Sequence, residues 1–113
     1  MTVVLLTSDL MVVSRVDGAA ARAAAAMRTA GDVSQAVQHC AQEQTTLLIV
    51  DLSLPSLDIA ALIQQLRAAM NGLPRIVAFG PHVHEERLAA ARRAGCGEVV
   101  SRGEFFARLD TML

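Results

Sequence analysis

The chain has 113 residues, of which 53% are hydrophobic and 19% are charged, and its formal net charge is −1. This composition predicts one folded domain spanning residues 1–113 and excludes a disordered chain. The near-neutral charge argues against nucleic acid or an anionic membrane as a partner, and the absence of lysine excludes Schiff-base and lysine-dependent phosphate chemistry.

Neither a membrane span nor a secretion signal is predicted. No segment approaches the ~18–20 continuous apolar residues that a spanning helix needs. The apolar start, Val3 to Leu6, lacks a basic flank and is soon interrupted by polar residues. The two isolated cysteines, Cys40 and Cys96, are typical of small buried hydrophobes in a reducing compartment. We therefore expect a cytoplasmic protein.

Short apolar runs recur along the chain and predict five strands. The first, third and fourth runs are continuously apolar, which is typical of parallel strands covered on both faces. The second run is the weakest. The predicted strands lie at Val3–Leu6, Ala25–Arg28, Leu47–Val50, Arg75–Phe79 and Glu98–Ser101.

The segments between these runs carry helical spacing. Asp9 and Asp32 are placed to cap the first two helices. Five β-α repeats with short loops predict a doubly wound parallel α/β sheet, in which functional groups collect at the carboxyl ends of the strands. The first and second predicted helices start after Asp9 and Asp32. The third contains the buried residues between Ile59 and Met70, the fourth runs from about His84 to Ala94, and the fifth runs from Glu104 to Leu113.

Three segments carry a family resemblance over the whole chain. In this order they resemble the receiver domains of two-component response regulators, the CheY-like family. The resemblance implies a flavodoxin-like sheet of five parallel strands in the order 2-1-3-4-5, flanked by five helices. The segments are Leu48-Ile49-Val50-Asp51-Leu52-x-Leu54-Pro55, Leu73-Pro74-Arg75-Ile76-Val77 and Ala91-x-x-Ala94-Gly95-Cys96.

The resemblance implies that Asp51 stands at the phospho-acceptor position. The backbone carbonyl that ligates metal in the family would belong to Ser53. Two adjacent acids hold Mg²⁺ in the family, and their positions fall on Ser8 and Asp9, so one acid is missing. Because Mg²⁺ depends on carboxylate oxygens, we expect Asp9 and Asp51 to bind it weakly or not at all.

Two further positions depart from the family pattern. The Ser or Thr that ends the fourth strand falls on Phe79 or Gly80, and neither carries a hydroxyl. The lysine that ends the fifth strand falls on Arg102, which presents a planar fork instead of a compact ammonium. We expect Arg102 to pair with Asp51 or Asp9 in place of a metal ion.

The sequence therefore favours a stand-alone, degenerate receiver-like module. Such a module is not an enzyme, needs no cofactor, and acts in signal transduction through protein–protein contacts without normal aspartyl phosphorylation. One alternative is a genuine single-domain response regulator of a phosphorelay, with Mg²⁺ bound and Asp51 phosphorylated by a histidine kinase. Another is a sensor of a small ligand or nucleotide in the same crevice, opened by Gly80.

Partner contacts are expected at two places. The surface formed by the fourth helix, fifth strand and fifth helix is the one that the resemblance implies. The first turn of the first helix is the other, because four apolar residues in succession, Leu10 to Val13, cannot all face the sheet. They form either a homodimer or partner contact, or ordinary exposed apolar side chains.

Overall fold

A computed structural model describes all 113 residues, and five strands alternate with five helices. The strands are β1 (Thr2–Leu6), β2 (Ala26–Ala30), β3 (Thr45–Asp51), β4 (Arg75–Gly80) and β5 (Glu98–Ser101). The helices are α1 (Leu10–Arg22), α2 (Val33–Gln42), α3 (Ile59–Ala69), α4 (Glu85–Ala94) and α5 (Arg102–Met112).

All five strands are parallel and lie in the order β2-β1-β3-β4-β5. This confirms the predicted doubly wound sheet and its strand order. The register places Asp51 beside Phe79 at the ends of β3 and β4, and Gly80 beside Ser101 at the ends of β4 and β5. The loops that follow the strands therefore meet along one edge of the sheet, which we call the carboxyl edge.

Apolar side chains fill both faces of the sheet. Alternate residues of a strand point to opposite faces. Leu48 and Val50 accordingly pack toward α2, α3 and α4, while Leu47 and Ile49 pack toward α1 and α5. Burial on both sides explains why β1, β3 and β4 are continuously apolar in the sequence. No helix combines the length and apolar character that crossing a bilayer requires.

Short polar side chains fix where the helices begin. The Asp9 side chain accepts from the Met11 N–H at the start of α1, and the Asp32 side chain accepts from the Gln35 N–H at the start of α2. Both predicted N-caps are thus confirmed. Helix α4 ends at Gly95, whose φ of 102° is the left-handed conformation that favours glycine.

Three predicted boundaries were wrong by two residues. Strand β3 begins at Thr45 and not at Leu47, because its first two residues are threonines that lie outside the apolar run. Strand β2 extends to Ala30 and not Arg28; it lies at the sheet edge with most of its side chains exposed, so it has no apolar run to mark it. Helix α5 begins at Arg102 and not at Glu104, because the Ser101 side chain accepts the Glu104 N–H at 3.2 Å. Arg102 therefore lies in the first turn of a helix, not in a loop after β5.

Candidate functional site

Asp51 lies at the carboxyl edge, at the end of the most buried strand, and only 3% of it is exposed. Its Oδ2 accepts a hydrogen bond from the Thr7 hydroxyl at 2.7 Å. Its Oδ1 accepts from the Ser53 N–H at 2.9 Å. Both oxygens therefore have a protein donor, which a buried carboxylate requires.

Thr7, and not Ser8 or Asp9, is the residue of the β1–α1 loop that contacts Asp51. The Thr7 hydroxyl also accepts from the Asp9 N–H at 3.1 Å, so it ties the loop to the acceptor position. Ser8 is exposed. Sequence reasoning named Ser8 and Asp9 as the pocket residues and missed Thr7, although the alignment of β1 beside β3 brings Thr7 level with Asp51.

Asp9 is used for structure and for charge pairing. One carboxylate oxygen caps α1 through the Met11 N–H at 2.9 Å, and the other accepts from the Arg102 guanidinium at 3.1 Å. The pKa of Asp9 is lowered, first by the Met11 N–H and then by Arg102. Of the two partners considered for Arg102, the structure has Asp9.

Arg102 is held from a second side by an aromatic ring. Its guanidinium carbon lies 5.3 Å from the centroid of the Phe106 ring, and that of Arg15 lies 4.2 Å from the same centroid. A cation over an aromatic face is attracted by the ring quadrupole. Asp9 and Phe106 therefore position Arg102 where α1 meets α5. Its ion pair is with Asp9 and not with Asp51.

The edge offers few carboxylate ligands for a divalent metal, because Asp9 is already paired with Arg102. Mg²⁺ requires near-octahedral oxygen ligation and usually one or two free carboxylates. The Asp51 oxygens accept from Thr7 and Ser53, and the Asp9 oxygens accept from Met11 and Arg102. No group of three or more His, Cys, Asp or Glu side chains is placed to hold a metal ion.

An aromatic stack occupies the end of β4. The Phe79 ring is fully buried and stacks on the Phe105 ring, with centroids 4.1 Å apart and an interplanar angle of 6°. Phe106 lies 6.2 Å from Phe79 in a tilted arrangement. The predicted switch position thus holds a packed hydrocarbon ring of the core instead of a mobile hydroxyl.

Gly80 does not open the crevice, contrary to the expectation behind the ligand-sensor alternative. A Cβ built at Gly80 would lie 3.3 Å from the Leu52 Cβ and 3.9 Å from a Leu88 methyl carbon. The space that a missing side chain leaves is already filled by Leu52. None of the cavities in the molecule is lined by Asp51.

The two thiols are not part of this site. Cys40 and Cys96 are both buried and unpaired. Burial raises the pKa of each thiol to about 11, and a protonated thiol is neither a nucleophile nor a metal ligand. Both cysteines therefore act as core residues.

No protein-family model matches the sequence, and no curated protein matches it. Solved structures do share its fold. The receiver domain of a sensor histidine kinase from Pseudomonas aeruginosa, which has a magnesium ion in its active-site cleft, superposes with a TM-score of 0.82 at 18% identity, covering 98% of this chain and 92% of that chain.

Two more solved structures give the same result. A response regulator from Hahella chejuensis has a TM-score of 0.81 at 17% identity, covering 98% of this chain and 90% of that one. The receiver domain of NtrX from Brucella abortus has a TM-score of 0.79 at 22% identity, covering 99% and 93%. Together with the strand order and the position of Asp51, these matches show that the chain has the CheY-like fold of response-regulator receiver domains.

Proposed function

We propose that this chain is a receiver-like module of two-component signalling that works through protein–protein contact and not through phosphorylation of Asp51. The module is not an enzyme and uses no cofactor. The observation that carries the proposal is the set of groups around the Asp51 carboxylate: its oxygens accept from Thr7 and Ser53, and it forms no ion pair with a cationic side chain.

Phosphoryl transfer to a carboxylate needs cations aimed at the charge that develops in the transition state. The chain has no lysine, and Arg102 forms its ion pair with Asp9. With Asp9 paired to Arg102, Asp51 is the remaining carboxylate at this edge for Mg²⁺, which usually needs more than one. An incoming phosphoryl group would therefore meet an anion without compensating charge.

The residue that would respond to a phosphoryl group at Asp51 by changing its position is also missing. A hydroxyl at the end of β4 would be needed to bond an added phosphoryl group, and Phe79 stands there, stacked on Phe105. A ligand or modification shifts an equilibrium only through contacts that differ between the two states. Phe79 offers no polar contact of this kind.

The proposed partner is a protein that binds the surface of α4, β5 and α5, and the first turn of α1 is the candidate contact for a homodimer. Neither nucleic acid nor a membrane is proposed as a partner, given the near-neutral charge. The free, buried thiols support a reducing compartment, the cytoplasm.

Incubation with acetyl phosphate and Mg²⁺, followed by intact-protein mass spectrometry, tests the proposal. We expect no added phosphoryl mass, and no change in the amide NMR spectrum on addition of beryllofluoride and Mg²⁺. A mass increase that is lost in Asp51→Asn would overturn the proposal and establish the phosphorylated regulator.

A variant that restores a metal-binding carboxylate and an ammonium group is the positive control. Ser8→Asp adds a carboxylate to the β1–α1 loop, and Arg102→Lys supplies an ammonium. The double variant is expected to bind Mg²⁺ more tightly than the natural chain and to gain phosphoryl mass. The gain should vanish when Asp51→Asn is added.

A further inference from the structure

A pocket of about 250 Å³ lies between the β3–α3 loop and helix α4, and Leu52 forms part of its wall. Its walls are apolar, and the Ser56 and Arg87 side chains are its polar groups. The apolar lining consists of Leu52, Leu54, Leu57, Ile59 and Ala90.

Arg87 lines this pocket and has no acidic partner. Its Nη1 donates to the Leu52 backbone carbonyl at 2.9 Å, which fixes the guanidinium at the pocket. None of the ion pairs in the molecule includes Arg87. A guanidinium has five N–H donors, so Arg87 keeps unused donors and a full positive charge that can bind an anionic ligand.

The loop that forms the pocket wall is held in a costly conformation. Ser56 has a φ of 61°, in the left-handed region that favours glycine. Its surroundings fix this shape, since the Leu57 N–H donates to the Leu54 carbonyl and the Leu54 N–H donates to the Asp51 carbonyl. Such preformed strain is common at binding sites.

The size and lining of the pocket define what fits it. Sites for drug-sized ligands measure ~300–1,000 Å³, so this one is too small for a nucleotide. Its apolar walls suit a short hydrocarbon chain, and the unpaired guanidinium suits one carboxylate, which it can bind through two parallel hydrogen bonds. We propose that this pocket binds a small monocarboxylate with a short, unbranched apolar tail, with the carboxylate on Arg87 and the tail against the leucines.

This binding would act on the carboxyl edge directly. Leu52 lines the pocket, follows Asp51 in the chain, donates its N–H to the Phe79 carbonyl at 2.8 Å and fills the space beside Gly80. A bound tail would therefore stabilise the loop after Asp51. The inference does not depend on whether Asp51 is phosphorylated.

An amide NMR titration of the whole chain with sodium octanoate tests the proposal. We expect saturable shifts at Leu54, Ser56, Leu57 and Ala90. Hexanoate should bind about tenfold more weakly, because two buried methylene groups are lost. Octyltrimethylammonium has the same tail with the opposite charge and should leave these residues unshifted.

Substitutions assign the two halves of the ligand. Arg87→Gln should weaken octanoate binding at least about tenfold through loss of the charged hydrogen bonds, whereas Arg92→Gln, on the same helix but outside the pocket, should not. Ala90→Phe fills the pocket and should abolish binding while keeping a dispersed spectrum. Unchanged binding by Arg87→Gln, or shifts centred on the exposed Leu10 and Val83 instead, would overturn the proposal.

Discussion

The Thr7 hydroxyl connects one side chain and one backbone group at the carboxyl edge. It donates to the buried Asp51 carboxylate and accepts from the Asp9 N–H. We expect Thr7→Val, which keeps the shape and removes the hydroxyl, to lower the free energy of unfolding by about 1–3 kcal/mol, because a buried carboxylate oxygen loses its donor. Urea denaturation followed by circular dichroism measures this change.

Ser8→Ala is the matched control for that prediction. Ser8 is the next residue in the same loop and is exposed, so its substitution should change the free energy of unfolding by less than about 0.5 kcal/mol. Equal effects of the two substitutions would mean that the Thr7–Asp51 hydrogen bond contributes nothing to stability.

The Asp9–Arg102 contact should depend on pH at the acid end. The pKa of Asp9 in the folded chain is lowered, so its contribution to stability is complete above the ordinary aspartate value and is lost as the pH falls through the folded-state pKa. Side-chain carboxyl NMR should show Asp9 titrating below the ordinary value. Arg102→Gln should move the pKa of Asp9 upward.

The Met11 N–H remains in the Arg102→Gln variant, so the pKa of Asp9 should stay below the ordinary value even there. Arg15→Gln is the control, because Arg15 lies over the same Phe106 ring without an ion pair to Asp9. An Asp9 pKa that is unmoved by Arg102→Gln would contradict the ion pair.

Alanine substitutions at two glycines distinguish the effect of side-chain packing on stability from the effect of backbone conformation. Ala at position 80 would bring its Cβ to 3.3 Å from the Leu52 Cβ, so we expect Gly80→Ala to destabilise the fold by about 1–3 kcal/mol. Gly103 lies in α5 with open space around it. Gly103→Ala should stabilise the fold by about 0.5 kcal/mol through helix propensity.

Thermal unfolding of the two variants measures the expected loss of stability in Gly80→Ala and the expected gain in Gly103→Ala. If Gly80→Ala were as stable as the natural chain, Leu52 would have room to move, and the crevice would be open as the ligand-sensor alternative requires. If Gly103→Ala were destabilised, the assignment of Gly103 to the first turn of α5 would be contradicted.

Elements with buried faces were predicted well, and elements at the periphery were not. The continuous apolar runs of β1, β3 and β4 follow from burial on both faces of the sheet, and the Asp9 and Asp32 caps follow from local hydrogen bonding. Strand β2 is an exposed edge strand, so hydrophobicity gives no boundary for it. The start of α5 depends on the Ser101 cap. Gly103 lies in the first turn, and because glycine is a weak helix former, the sequence pattern indicates a later start.

The candidate site was predicted only as far as residue type allows. Asp51 could be found because an acid directly after a buried apolar strand is conspicuous. A pairing of Arg102 with an acid could be predicted because both follow strands of one parallel sheet, whose carboxyl ends share an edge. The contact of Thr7 with Asp51 depends on the register between β1 and β3, and the Phe79–Phe105 stack joins a strand to a helix 26 positions further along the chain. Pairings over such sequence separations are set by tertiary packing and leave no local pattern.

Taken as a whole, the molecule exposes three large apolar side chains at the carboxyl-edge loops and the start of α1. Leu10 is 83% exposed, Met11 51% and Val83 70%. The prediction that the first turn of α1 cannot bury all its apolar residues is therefore confirmed. Leu10 and Met11 are consecutive in the first turn of α1, and a contiguous exposed apolar surface favours association.

We expect the mass measured by light scattering to rise with concentration above the 12.0 kDa of one chain. Leu10→Ser should restore the monomer at every concentration, whereas Val83→Ser, in the loop before α4, should not. A constant monomer mass in the natural chain would exclude the homodimer. The start of α1 would then be a candidate contact for a different protein.

The parallel arrangement also decides where the two chain ends lie. Strand β1 starts at the opposite edge of the sheet from Asp51, and α5 returns to that opposite edge, where the Arg75 guanidinium donates to the Met112 carbonyl at 3.1 Å. A fluorophore, an affinity tag or a sensor chip attached at either end therefore points away from Asp51, Arg102 and the β3–α3 loop. Immobilised chains would present these loops to the solution, which suits them for screening partners and ligands without steric interference from the tether.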